Sequence, residues 1–429
     1  MKMKLLFKEC IDYCGFDYLP EGIEEFYDSY IGDNKKELID RKFLNHIFEK
    51  YDLSHDKQDL IVKAYEAIEQ DEKLFHFTKF LVWDMCSARN RCDVDNYKNM
   101  TPACMSKYGE MYSLLLLLAC VEPAMNLLKE RGVPVEYYEG IPYRSMDNQF
   151  KKLIENGDTT VSDFPWDMNF YTCSIYLMDR FLFIPCKFED SFTMYRNNKT
   201  KKVIALRHGE EEFRGDGQIN GINDVYDEKG KFTTEWKESE NTITGNPISP
   251  MGYVKKEKIT LDKDEWKLAL KQGDILLALH VPAGPGYNPE RLKNSMELAI
   301  EFYDKYFPEL KVKGFWSESW LYDSRLSLVL DNDTSNIIKV QRQFYLYPIK
   351  AGDSMLRYEV FGDWNADPHK IELKTSLQKA ALGYMNTGGR FNNLSMVVLR
   401  EDVDKIGNNT YINKEDIEDF KRIVDIHLK

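Results

Sequence analysis

The residues with the most chemistry to offer lie between positions 275 and 323. A hydrophobic run, ILLALHV (275–281), stops at PAGPG (282–286) and opens into NPERLKNSMELAIEFYDKYF (288–307). An apolar strand that ends in a Gly-rich turn before a helix is one way to hold a phosphate. The turn amides and the helix's unpaired first-turn donors converge on one point. Further on, GFWSESWLYD (314–323) sets Glu318 between Trp316 and Trp320. Strand alternation puts Trp316, Glu318, Trp320 and Tyr322 on one face, and Phe315, Ser317, Ser319 and Leu321 on the other. A glutamate buried there has its pKa raised by desolvation, toward the range needed to take a proton from an ammonium group. The alternative is an ion pair with Arg342 on the next strand. His280, at the strand end, is either a proton relay or a structural donor. Tyr322 or Tyr345 is suited to protonate a leaving group. A hydrolase pairing Glu318 with Asp323 is disfavoured, because their offset puts them on opposite faces; Asp323 reads equally as a helix cap.

Several elements must position these groups. Asn288 caps the helix 288–307, Pro289 takes its first position, and Leu292, Met296, Ala299, Tyr303 and Phe307 form its apolar stripe. The pattern predicts a strand over 312–322, a helical turn at SRLSLVL, and strands over 340–347 and 355–361. Thr375 and Gln378 make a capping box for a helix ending at Gly388-Gly389. Strand LSMVVL and an amphipathic helix from Asn413 follow. Upstream, residues 1 to about 160 read as mostly helical. Thr101-Pro102 is expected to cap a long helix through LLLLLACV (114–121), bent at Pro123. Texture shifts to Pro, Tyr and Gly between 134 and 170, and short strands and turns are expected over 171–260.

At 429 residues the chain calls for two domains. A net charge of −13 argues against a duplex nucleic-acid binder, although a local pocket can still be basic. The eight cysteines precede residue 187 and form no CxxC pair, which points to reduced thiols and a cytoplasmic protein. Cys86, Cys92, Cys104 and His76 fit no zinc spacing, so packing is the better reading and no metal is expected. The start of the chain has no secretory pattern, and the leucine run is too short to span a membrane. VIALRHGE (203–210) imitates the opening of a histidine phosphatase but enters an acidic Gly-rich loop, so Arg207 and His208 read as a strand end and its turn. GDGQINGIND (215–224) lacks the terminal glutamate of a calcium loop. Arg89 and Arg91 sit among acids in what reads as a solvated loop.

The order strand, Gly loop, helix, strand, helix, strand, strand resembles the core of the GNAT N-acetyltransferase fold. A longer stretch, GDILLALHVPAGPGYNPERLKNSMELAIEFYDKYF and on to QRQFYLYP, is similar to a group of bacterial two-domain proteins. These join a helical N-acyltransferase amino-terminal domain to a GNAT-like carboxyl-terminal domain. Ser319-Trp320-Leu321, Asp323, Ser335-Asn336-Ile337, Gln341 to Phe344, Thr375 to Gln378 and FRGDGQINGIN carry the resemblance. It implies an α+β chain with a helical domain over 1–160 and a GNAT-like mixed-sheet α/β domain over 161–429. It implies an acyl-CoA co-substrate, acetyl-CoA or another, bound by Leu279, Val281, Ala283, Gly284, Gly286, Tyr287 and Asn336. It also implies acyl transfer by direct attack of a primary amine, with Glu318, His280 and Tyr322 as catalytic candidates. Val281 stands where that family's loop carries Arg or Gln, and Glu290 adds a carboxylate beside the loop. Those departures favour the alternative, a silent scaffold that binds a small ligand or a protein partner.

Overall fold

A computed structural model describes residues 6–30, 32, 37–87, 92 and 96–427. Arg89 and Arg91 lie outside the described residues. Two compact units divide the chain: one holds Met1–Leu177 with Ile184–Cys186, the other Met178–Phe183 with Lys187–Lys429.

The first unit is helical. Its helices include Arg41–Lys50, His55–Glu69, Glu72–Met85, Tyr112–Glu130, Ile141–Asn156 and Phe164–Tyr171. Asp71 and Asp163 cap two of them by accepting backbone N–H bonds, as short acceptor side chains do at helix starts. The leucine run lies in Tyr112–Glu130 and is almost wholly buried, with Pro123 inside the helix. The helix does not start at Thr101-Pro102 as the sequence suggested. A 3-10 segment, Ala103–Met111, comes first, broken by Ser106 at φ 48.

The second unit is built on two sheets. Within this unit one sheet places residues 181–183 beside Ile275–His280, followed in order by Gly314–Ser319, Leu394–Leu399 and Tyr345–Pro348. Helix Pro289–Tyr306 begins at an Asn288 cap that accepts from the Arg291 amide, and its predicted apolar stripe is buried throughout. The second sheet has the order Ile259–Asp262, Thr242–Ser249, Val203–Arg207, Phe192–Asn197, Trp266–Leu270. The fold is therefore a helical amino-terminal part followed by a mixed-sheet α/β part.

Three expectations are corrected. The strand expected over 312–322 is Gly314–Ser319, because the Ser319 hydroxyl accepts the Leu321 amide and starts a 3-10 turn, Trp320–Tyr322. Trp320 and Tyr322 thus leave the alternation that Glu318 keeps. Residues 340–347 split into the end of helix Asn336–Gln341 and strand Tyr345–Pro348. Residues 355–361 belong to helix Ser354–Phe361. There Leu356, Val360 and Phe361 enter one apolar cluster at helical spacing, and Asp353 pairs with Arg357 one turn on. Helices therefore separate the last two strands, and Leu394–Leu399 inserts between its two neighbours in antiparallel register.

Candidate active site

Strands Ile275–His280 and Gly314–Ser319 run parallel, but they share only the Leu277↔Phe315 and Ala278↔Trp316 pairs. Beyond these the ladder stops, and the Leu279 carbonyl is taken by the Ser317 hydroxyl at 2.7 Å. Gly314–Ser319 stays paired along its whole length with Leu394–Leu399 on its other side. The sheet therefore opens between its two central strands, at the end where PAGPG follows.

Arg180 fixes that loop. Its guanidinium donates to the carbonyls of Pro282 (2.6 Å), Gly284 (2.9 Å) and Pro285 (2.8 Å), and its own amide donates to Ser295 of the following helix. In a trans peptide the N–H points opposite to the C=O of the same unit. With the Pro282 and Pro285 carbonyls turned toward Arg180, the Ala283 and Gly286 amides point away from it. Among the described residues neither amide donates to a protein acceptor. Gly284 and Gly286 hold φ of 120 and 94, a region open in practice to glycine. The neighbouring Asp179 binds Arg291, in the first helical turn, with two contacts of 2.6 Å. That pairing holds the Asp179 carboxyl below its usual range.

Register sorts the remaining side chains onto two faces. Glu318 lies opposite Ser395, which lies opposite Tyr347, and the Trp316 indole donates to the Tyr347 hydroxyl at 2.6 Å. Tyr347 in turn donates to Asp190 at 2.5 Å. Glu318 is exposed, yet desolvation by surrounding atoms raises its pKa, helped by the Asp190 charge and opposed by the Asn393 amide. Asp190 is also raised, first by burial. The Asn393 Oδ1 is buried without a hydrogen bond. Arg342 is not the partner of Glu318: it sits at a helix end and donates to the Ile412 carbonyl. His280 shares this face by alternation from Ala278, the register partner of Trp316.

The opposite face carries two phenols. The Tyr322 and Tyr287 hydroxyls are buried, and among the described residues neither has a hydrogen-bond partner within bonding distance. Burial raises both, and Tyr322 lies close enough to raise Tyr287 further. Ser317, which reaches the Leu279 carbonyl, is the hydroxyl nearest in effect to Tyr322. Two orphaned phenols beside a parted ladder mark a polar lining that a bound group can complete.

A profile described as "N-acyltransferase N-terminal domain" matches residues 42–172, and one described as "GNAT-like C-terminal domain" matches residues 186–397. The chain belongs to the two-domain acyltransferase family. No curated protein matches it. Two solved acyltransferases share the fold of this family member. One, in complex with decanoyl-CoA and teicoplanin, has a TM-score of 0.50 at 16% identity over 91% of this chain and 98% of its own. The other, a mutant acyltransferase in complex with octanoyl-CoA, has a TM-score of 0.50 at 15% identity over 92% and 99%.

In this acyltransferase-family chain, Glu318 and His280 come to one face, and Tyr322 stands on the other with Tyr287. Leu279, Val281, Ala283, Gly284, Gly286 and Tyr287 follow one another through the parting of the strands and the loop. Asn336 is exposed at the start of a different helix, and no hydrogen bond among the described residues ties it to the loop. Sequence reading missed Arg180, Asp190 and Asn393. The only local hint for the first was the Asp179-Arg180 pair between two short strands, where Asp179 takes φ 53 in the turn.

Burial pulls the His280 pKa down to about 4. The folded state then refuses a proton that the unfolded chain accepts near the ordinary value of 6.5. Stability is full above pH 6.5 and falls as the pH drops from there toward 4. Replacing His280 with Gln is expected to flatten that slope, measured by urea unfolding at pH 7.0, 6.0 and 5.0. An unchanged slope would show that His280 ionises freely.

Proposed function

We propose that this protein transfers an acyl group from a CoA thioester to a primary amine. The supporting observation is the parted pair of central strands ending at a loop whose Ala283 and Gly286 amides face away from Arg180. Those amides and the helix start at Pro289 would hold the diphosphate of the co-substrate, with Arg291 already paired to Asp179 beside them. The main chain of Leu279 to Val281, freed from the ladder, would hold its pantetheine arm. When bound, the co-substrate supplies an activated carbonyl. The remaining work belongs to this chain's residues.

Glu318 accepts the proton that an ammonium must lose before it can attack. Asp190 and the Asn393 Oδ1 offer further acceptors for a donor-rich group on the same face. His280, neutral near pH 7, flanks Glu318 without competing as a charge. Tyr287 and Tyr322, on the opposite face, would reach the leaving sulfur only through the parting beyond the Ala278↔Trp316 pair, and would donate their hydroxyls to it there. Catalysis then rests on proximity and placed dipoles, with no covalent enzyme intermediate needed. The ligands of the two fold neighbours, decanoyl-CoA and octanoyl-CoA, support a CoA thioester as donor. The teicoplanin present in one of those complexes supports a small-molecule acceptor.

Binding is the first test. At ligand about 100-fold above Kd, stabilisation is about 2.7 kcal/mol, which for this size of unit raises Tm by roughly 5–10 °C. Acetyl-CoA, decanoyl-CoA and desulfo-CoA at millimolar concentration are expected to produce such shifts. Flat melting curves with all three would instead favour the scaffold reading, for which Val281 and Glu290 speak.

A further inference from the structure

A second cavity of about 570 Å³ lies at the other end of strand Gly314–Ser319, within the same unit. Its charged lining is Arg196, Lys201, Lys267, Lys311, Lys313 and Arg400 against the single carboxylate of Glu401. The protein as a whole carries −13, so this concentration of positive charge runs against its composition. Two of the cations are already satisfied. Arg196 binds Asp402 through two nitrogens and also reaches Glu401, and Arg400 binds Asp304. The other four are lysines. Lys267 donates to the Lys263 carbonyl, and among the described residues none of the four is paired with a carboxylate.

The backbone adds a separate observation. Lys201 and Lys311 hold φ of 61 and 49, the left-handed region that a β-carbon disfavours and that glycine or asparagine occupies readily. The chain thus carries lysine at two turn positions where local conformation favours an uncharged residue. The strand on the cavity's rim, Trp266–Leu270, is the outer strand of its sheet and slips register between Leu268 and Leu270. Ala269, left over by that slip, lines the cavity beside the lysines.

We propose that this cavity is a binding site for a small polyanion bearing two or more phosphate groups. Four ammonium groups of like charge, none paired with a carboxylate among the described residues, repel one another until a multivalent anion sits among them, and the volume suits a small phosphorylated molecule. The site is distinct from the diphosphate loop. Lys313 and Glu318 are separated by five strand residues, roughly 17 Å along the sheet.

Tripolyphosphate titrated calorimetrically into the full chain at fixed ionic strength tests the assignment, and a double variant separates uptake in this cavity from uptake at the 282–286 loop. The wild type is expected to bind with Kd below about 100 μM, tight for so small an anion. The double substitution Lys201→Asn with Lys311→Asn keeps the turns in a conformation asparagine tolerates. It is expected to leave Tm unchanged or higher while weakening tripolyphosphate at least tenfold. Wild-type protein that takes up no tripolyphosphate under these conditions, or a double variant that binds it as tightly as wild type, overturns the proposal.

Discussion

Glu318→Gln should lower the rate of acyl transfer by about 10²–10⁴-fold, the range a positioned general base contributes, while leaving CoA-induced stabilisation intact. The substitution keeps the shape of the side chain and its place opposite Ser395, and Gln can still meet the Asn393 amide through its carbonyl. What it loses is the capacity to take a proton. Desolvation, the largest influence on this carboxyl, raises its pKa, and the neighbouring Asp190 adds to the rise. The acidic limb of the activity profile should therefore lie above the ordinary carboxylate range. Activity should climb with pH as Glu318 ionises, and the limb should vanish in the glutamine variant. Asp190→Asn provides the internal check. It removes a like charge, so the limb should move toward lower pH without a comparable loss of rate. If Glu318→Gln retains full turnover with an unshifted profile, the glutamate is packing and the proton leaves by another route.

Much of the scaffold around this site could be read from residue order. The helix 289–306 was legible because Asn288, Pro289 and a 3.6-residue stripe agree with one another. The loop was legible because Pro and Gly punctuate it. Strand positions failed where a single polar side chain redirected the backbone: nothing in SESWLY distinguishes a continuing strand from one that Ser319 ends by capping a turn. SMLRYEVF carries enough aromatic and β-branched residues to pass as a strand, and only its burial of Leu356, Val360 and Phe361 on one face makes it a helix. The segments that carry the family resemblance proved informative in an unexpected way. Asp323 is fully buried, pairs with Arg325 and accepts the Asn392 amide; Gln341 donates to the Leu321 and Asp323 carbonyls. Within FRGDGQINGIN, Asp216 reaches Arg325, and Gln218 joins Gly252 to Asn392. These residues build a buried polar network that fixes the backbone, and they are not the groups that face the parted strands. A motif shared by a family can mark such a network as readily as a reacting group.

Arg180→Met is expected to weaken CoA binding by roughly one to two powers of ten and to cost about 1–3 kcal/mol of stability, since three charge-assisted hydrogen bonds to part-buried carbonyls are lost together. No sequence pattern announces this residue, because its three acceptors lie 102 to 105 positions away. Its role follows from electrostatics. Arg180 is largely buried and its guanidinium is met by neutral carbonyl dipoles, so a positive charge persists beneath the loop. The same bonds hold the Ala283 and Gly286 amides on the far side. The resemblance expects Arg or Gln within the loop itself, at the position Val281 occupies; here a cation arrives from a separate turn and acts on the loop from behind. Arg180→Lys is the sharper variant. It keeps the charge, but an ammonium on a single stem cannot span three carbonyls as the planar fork does. If charge alone mattered, lysine would restore CoA affinity; if loop geometry matters, lysine should bind CoA nearly as poorly as methionine. Calorimetric titration of both variants, with Arg291→Met as a cation-removal control that leaves the loop carbonyls bonded, separates the two contributions. Unchanged affinity in Arg180→Met would mean that the loop holds its shape without the guanidinium, and the anion-binding role assigned to its amides would then have to be abandoned.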